Sequence, residues 1–402
     1  MANVEQRANR QQVATWWALA LAATALWSGG PLAPSASADE PGVVVGTPQV
    51  FLHVPYPGNP GGLAVDGNTL WVDSSAANLD RPFDGDSSVW AYSLSTRQLQ
   101  ARTPNPIVVA KNPVAAMGLA GIALDRGGRQ YIADMNGQVL RLDPKTNVAE
   151  VYATIPTSTS TSFTDMPTFD AFGPDGSLYV GDAAGPPIIW RVAPGGGQAE
   201  PWFVDPRLTA SWGASVDGVA VDPSGRYLYF ASGNQQPQIT IYRLPFAHPD
   251  SSHLEIVHTY TDLVITPCAP ASDPPNAELA FLNCVLGQGV GAGGIAFGKS
   301  GRLYVALLAK NQVSILSSAG TELARFPTPE DNMKLDVPVN GPFGVAFDGR
   351  GSLLVANIGD PSSSYLPGHT PPPGGLPDSK SWAVLAVDVD DTAGRLFRPD
   401  VP

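Results

Sequence analysis

Asp217, followed at once by Gly218, is the residue of this sequence best placed to do chemistry. It opens a short apolar run, Asp-Gly-Val-Ala-Val, and the glycine lets the backbone approach whatever the carboxylate meets. A carboxylate in that setting serves as a metal ligand or a general base. Four polar residues precede comparable apolar runs: Asn59, Asp165, Gln288 and Asn340. Asp165 and Asn340 offer oxygens to the cation that Asp217 would hold. Asn59 and Gln288 offer side-chain amides to a substrate.

Other candidates are weaker. Cys268 and Cys284 are the two cysteines, and both lie in a stretch rich in Pro, Ala and Asn. In an oxidising compartment they are expected to form a structural disulfide that restrains a long loop. Two unpaired thiols, or half of a metal site, are the alternatives. The histidines, His53, His248, His253, His258 and His369, lie away from the starts of the apolar runs and read as solvated or locally paired. Asp80, Asp84 and Asp86, like Asp388, Asp390 and Asp391, are dense enough to hold calcium with backbone carbonyls. Their spacing does not fit a helix–loop–helix calcium loop, so solvated turns are expected. Neither a Gly-x-Ser-x-Gly nucleophile elbow nor a His-Glu-x-x-His zinc motif occurs.

The elements that position these side chains recur. Six units read as strand, tight turn, strand: GGLAVDGNTLWVDS, AGIALDRGGRQYIAD, TFDAFGPDGSLYVGD, DGVAVDPSGRYLYFAS, GGIAFGKSGRLYVAL and FGVAFDGRGSLLVAN. They begin at Gly61, Ala120, Thr168, Asp217, Gly293 and Phe343, so the period is near 50 residues. The first strand of each is short and apolar, as an inner strand packed on both faces must be. The turns carry Asp, Gly, Pro and Ser, which supply the backbone angles and local hydrogen bonds of a hairpin. Third strands follow at Ser87, Gly137, Ile188, Ile239, Gln312 and Trp382, and fourth strands at Ala149, Ala199, His253 and Thr321. Four antiparallel strands per unit predict an all-β, six-bladed β-propeller. PQVFLHVPYP, from Pro48, is expected to complete the last blade, so that the N-terminal strand closes the ring and removes an open edge. RLFRPDV near the C-terminus is the alternative closing strand. Two insertions, at about 262–291 and 359–380, are long enough to cover one mouth of the channel or to be plain surface excursions.

This repeat also disposes of a phosphate-loop match. Gly293 to Ser300 has the right letters, but its middle is the inner strand of the fifth unit, with no helix to follow. In the aligned units, Asp217 is the one carboxylate in the ring of inner-strand openings.

Composition agrees with a fold of many short strands. Among 402 residues there are 42 Gly and 40 Pro, with 43% hydrophobic and only 15% charged. The net charge of −13 and the lack of any Lys/Arg cluster exclude a nucleic-acid partner. A small-molecule ligand or substrate is expected instead. Residues 1–38 read as a signal peptide: Arg7 and Arg10, an apolar run from Val13 to Trp27, then Ala36-Ser37-Ala38 before Asp39. The apolar run is short for a membrane span. The expected organisation is thus an exported protein, secreted or periplasmic, with one propeller over 39–402 and no membrane association after cleavage. An uncleaved anchor is the alternative.

The blade pattern resembles the six-bladed superfamily of gluconolactonase/regucalcin-like, strictosidine synthase-like and NHL-repeat proteins. The gluconolactonase branch implies a divalent cation, calcium foremost, at the channel mouth, where it polarises a lactone carbonyl and activates water. Of that branch's ligands only the Asp-Gly pair, Asp217-Gly218, has a match. Asn59-Pro60-Gly61-Gly62 stands where the first-blade Glu belongs, and Asn340-Gly341 lies three residues ahead of the Asn-Gly position. The resemblance therefore implies a metal-dependent hydrolase of a lactone or small ester. A propeller that binds a small molecule, glycan or protein without turnover is the alternative.

Overall fold

The computed structural model describes residues 42–55, 58–74, 85–101, 106–112, 118–156, 166–183, 187–209, 215–233, 238–262, 292–359 and 381–402. Cys268, Cys284, Asp165, Gln288, the signal-peptide segment and the bulk of both insertions lie outside them. Met1–Gly42 forms a separate unit, and the ring belongs to Val43–Pro402.

Six antiparallel sheets of four main strands make the six blades. Their inner strands are Pro60–Asp66, Leu119–Leu124, Pro167–Phe172, Asp217–Val221, Ala292–Phe297 and Pro342–Phe347. Each packs beside the next, and the sixth packs beside the first, so the ring is closed. The core lies between blades. Trp90, Tyr131, Tyr304 and Phe230 are among the largest side chains wholly removed from water.

The sequence explains each hairpin locally. In blade four the carboxylate of Asp222 accepts from the amides of Ser224 at 3.0 Å and Tyr227 at 2.6 Å. Gly225 closes the turn at φ +75°, a conformation that costs a non-glycine residue. The closing strand is the expected one: Gln49–His53 pairs antiparallel with Ala383–Asp388 of blade six. Blade one has a fourth strand, Ile107–Asn112, that the sequence reading did not find. The phosphate-loop letters are strand Ala292–Phe297 followed by a turn.

The alternative closing segment, RLFRPDV, forms no strand. It belongs to a strap, Thr392 to Pro402, that crosses the end of the ring where the inner strands finish. Lys299 donates its amide to the Thr392 carbonyl at 2.7 Å, and Gly394 donates to the Phe297 carbonyl at 2.8 Å. Phe397 packs over Gly225 of blade four. Arg398 reaches Asp66 and the Val65 carbonyl of blade one, each at 2.7 Å. Arg126 of blade two donates its amide to the Pro399 carbonyl at 2.9 Å.

Asp391, just before the strap, is not a solvated turn residue. Blades two and three hold their hairpins with Asp125 and Asp175, which accept from Tyr131 and Tyr179 hydroxyls at 3.2 and 3.1 Å. Blade five has Gly298 where blade two has Asp125, and Ser300 where blade three has Asp175, and Asp391 supplies the missing carboxylate. It accepts from the Ser300 amide and hydroxyl and from the Tyr304 hydroxyl, the last at 3.1 Å.

Candidate functional site

The end of the ring where the inner strands begin gathers Gly61, Ala120, Thr168, Asp217, Gly293 and Phe343, one from each blade, as the repeat alignment requires. Asp217 and Thr168 are its polar members, from adjacent blades. The Asp217 carboxylate is buried, at 4% exposure, and accepts from the Gly218 amide at 3.1 Å. Thr168 donates to the Val216 carbonyl at 3.4 Å, and its hydroxyl also eases the charge on Asp217. Burial outweighs these donors and pushes the Asp217 carboxyl up to about 7. Asp217 therefore exchanges its proton near neutral pH, the property of a general acid–base group.

The loops before the inner strands surround this mouth. Asn59 is buried and takes a left-handed backbone, φ +50°, ahead of Pro60. Gly341 takes the same conformation, φ +63°, ahead of Pro342, so these two entries are built alike. Asn340 is tied to the scaffold: its amide donates to the Asn357 side chain at 2.6 Å, and its carbonyl accepts from the Gly359 amide at 3.0 Å. Asp134 and Asp182 also anchor loops from the ends of second strands. Asp134 accepts from Asn136 and Gln138, and Asp182 from the Met166 amide and the Trp190 indole. These two carboxylates are spoken for structurally.

Two buried carboxylates were missed in the sequence. Asp73 sits near the end of the second strand of blade one, where the other blades carry Ala133, Gly181, Ala231, Ala306 and Ala356. One of its oxygens accepts from the Gly62 amide at 2.6 Å, the other has no partner among the described residues, and burial pushes the group up to about 7. Asp170 lies in the inner strand of blade three. The corresponding residues elsewhere are Leu63, Ile122, Val219, Ile295 and Val345. Burial first, then the nearby Asp73, hold its carboxyl well above the usual range. Both stand out as the odd letters of their aligned columns, beyond the inner-strand starts.

A plug floors the mouth. Phe169 of blade three and Phe343 of blade six meet across the ring with centroids 5.0 Å apart. Gly294 makes room for them: a Cβ there would stand 3.1 Å from the Phe169 ring. Neighbouring inner strands also touch backbone to backbone at this level, since a Cβ on Gly344 would collide with the Gly61 carbonyl oxygen.

Among the described residues no three His, Cys, Asp or Glu side chains gather to hold a metal ion. Asp217 is the one carboxylate at the inner-strand openings, and its described neighbours are hydrogen-bond donors rather than further oxygen ligands. That donor set suits a protonatable carboxyl, and Asp165, the carboxylate expected to share a cation with it, lies outside the described residues.

No protein-family model matches the sequence, and no curated protein matches it. Solved structures match in fold. Regucalcin of Agrobacterium tumefaciens, a calcium-binding protein, superposes with a TM-score of 0.52 at 16% identity, over 90% of this chain and 97% of that one. A luciferin-regenerating enzyme superposes at 0.52 and 12% identity, over 89% and 100%. The PQQ-bound aldose sugar dehydrogenase of Streptomyces coelicolor superposes at 0.51 and 16% identity, over 86% and 98%. The chain has the six-bladed propeller fold of the regucalcin-like structures. The differing names of these neighbours show that the fold alone does not choose a chemistry.

Proposed function

We propose that this protein is an exported, lactonase-like hydrolase that works at the inner-strand-start mouth of the ring, with Asp217 as its acid–base group. The observation that carries this is a buried carboxyl, pushed up to about 7, in the ring of strand openings. In its ionised form Asp217 takes a proton from a water molecule as the water oxygen bonds to the lactone carbonyl carbon. The tetrahedral adduct then collapses, the ring C–O bond breaks, and Asp217 returns the proton to the departing oxygen. The product is a hydroxy acid. Thr168 steadies the Asp217 carboxyl, while Asn59, with Gln288, supplies polar contacts to the substrate. The gluconolactonase resemblance supports the substrate class. Signal-peptide features over 1–38 support export.

The test is a panel of aldonolactones and small esters against the wild type and Asp217→Asn. Loss of hydrolysis in a folded variant is expected, and unchanged hydrolysis refutes the role of Asp217. EDTA treatment separates plain acid–base hydrolysis, which survives it, from a reaction in which Asp217, Asp165 and Asn340 hold a divalent cation, which does not. The second reading, ligand binding without turnover, is favoured by the tightly tied Asn340 and the absence of a described cation cage. It predicts no hydrolysis on the panel together with ligand-induced thermal stabilisation. Export predicts a mature N-terminus at Asp39, checked by sequencing the protein recovered outside the cytoplasm.

A further inference from the structure

In five blades the second strand carries a large aromatic residue opposite an alanine of the inner strand: Trp71, Tyr131, Tyr179, Tyr229 and Tyr304. Blade six has Leu354 there, opposite Ala346. In blades two, three and five the tyrosine hydroxyl donates to the carboxylate that holds the hairpin, Asp125, Asp175 or Asp391. The hairpin of blade six has its own carboxylate, Asp348, and no tyrosine to meet it. One Asp348 oxygen accepts from the amides of Arg350 at 2.7 Å and Ser352 at 3.0 Å, and the other has no partner among the described residues. Asp348 lines a pocket of about 370 Å³ at the seam between the closing strand of blade six and the Leu94–Arg97 turn of blade one. The pocket lies at the end of the ring where the inner strands finish, the opposite end from Asp217. Its volume is in the range of small-molecule sites.

Two exposed arginines line this pocket, and each departs from its column in the repeat. Arg97 has φ +59°, and among the described residues it is the one residue other than Gly and Asn with a positive φ. Blade two builds the same turn with Asn147: Arg97 donates its amide to the Ser93 carbonyl at 2.7 Å, as Asn147 does to Asp143 at 2.8 Å. That conformation strains an arginine. Arg350 stands where blades four and five have Ser224 and Ser300. Neither arginine pairs with a carboxylate among the described residues. The Arg97 guanidinium lies 4.9 Å over the Phe51 ring, and Arg350 donates to the Asn68 amide oxygen at 3.1 Å. In a chain of net charge −13, two positioned guanidinium groups without an acidic partner point to an anionic ligand. Asp388 is the second acid of the lining. One of its oxygens accepts from the Ser352 hydroxyl at 2.8 Å, and the other has no partner among the described residues. The open oxygens of Asp348 and Asp388 repel a compact dianion and call for hydroxyl donors, the partners that hairpin carboxylates take elsewhere in this chain. We propose that the seam pocket binds a small sugar acid, with its carboxylate on Arg97 and Arg350 and its hydroxyls on Asp348 and Asp388. The site is separate from Asp217, and it goes beyond the hydrolase reading.

The experiment is isothermal titration of the full chain, near neutral pH and at low salt, with three probes. They are galacturonate, galactose, which lacks the carboxylate, and cyclohexanecarboxylate, which lacks the hydroxyls. Saturable galacturonate binding is expected, with each analogue weaker by roughly tenfold or more, because each loses charge-assisted hydrogen bonds. Arg97→Asn copies blade two and Arg350→Ser copies blades four and five, so both should fold. Each should weaken galacturonate by roughly tenfold. Leu354→Tyr restores the residue type of the other blades and should abolish binding, because its hydroxyl takes the open Asp348 oxygen. Asp217→Asn should bind galacturonate as the wild type does. Equal galacturonate affinity in the wild type and the two arginine variants would overturn the inference, as would no saturable binding to the wild type. Cyclohexanecarboxylate binding as tightly as galacturonate would also overturn it, since the hydroxyl contacts would then be absent. Loss of galacturonate binding in Asp217→Asn would place the ligand at the other mouth and refute the seam site.

Discussion

Replacing Asp217 by Asn should change how stability depends on pH. The folded protein holds the Asp217 carboxyl at about 7, against 3.8 for the free group, because burial penalises the charge. The native state therefore keeps a proton that the unfolded chain gives up. The stability tied to that proton is complete below about pH 4 and is lost as pH rises through about 7. A shift of about 3 units at about 1.36 kcal/mol each comes to about 4 kcal/mol over that window. Asp73 shifts the same way, also to about 7, so the wild type carries at least two such slopes and the variant one fewer. Asp205, pulled down to about 2 mainly by Arg207, titrates below the window and leaves it clean. Urea unfolding at pH 4.5, 6 and 8 measures the effect. Relative to the wild type, Asp217→Asn should gain about 3 kcal/mol between pH 4.5 and pH 8, the part of the window that these measurements span. Parallel stability curves would refute the buried, neutral Asp217, and the acid–base role would fall with it. In the wild type, kcat/KM for a lactone should rise with a midpoint near 7.

The strap's contribution to blade five predicts a rescue. Asp391→Ala should cost about 2 kcal/mol in chemical unfolding, because Ser300 and Tyr304 lose their acceptor. Adding Gly298→Asp should recover most of it by restoring the hairpin carboxylate in its usual place, and failure to recover would show that Asp391 acts through the strap instead. Gly344→Ala should destabilise by about 3 kcal/mol or more, since the new methyl meets a backbone oxygen that cannot turn aside. A Tm within a degree or two of the wild type would refute that packing.

The blade architecture was legible because hairpin chemistry is local. Alternating apolar strands and Asp/Gly turns recur with their own hydrogen bonds, and the starts at Gly61 to Phe343 coincide with the observed ring openings. Closure by Gln49–His53 followed from counting strands. What escaped is what depends on distant contacts. RLFRPDV has strand-like letters, yet its partners are turn carbonyls and side chains scattered over several blades, so no local pattern marks it as a strap. Asp391 looked like a surface acid because its partner hairpin lies about ninety residues earlier in sequence. Asp170 was hidden in a different way. Its own strand, TFDAF, reads as an acceptable alternation, and only the other five aligned strands reveal that an aliphatic residue belongs there.

The functional content of this ring therefore rests on departures from its repeat. At the opening position, five blades carry Gly, Ala, Thr or Phe, and blade four carries Asp217. Two residues further along the column, five blades carry Leu, Ile or Val, and blade three carries Asp170. Between these levels the glycine contacts draw the strands together and the Phe169–Phe343 pair fills the axis. A step of two residues along a strand is only about 7 Å, and the two carboxyls come from adjacent blades at successive levels of the ring. Asp217 holds its carboxyl at about 7 among the inner-strand openings, which suits proton exchange. Asp170 is buried within the ring, where burial and the nearby Asp73 hold its carboxyl well above the usual range. One repeated strand thus carries two buried, proton-holding positions, each visible as the departure of a single blade from its aligned column.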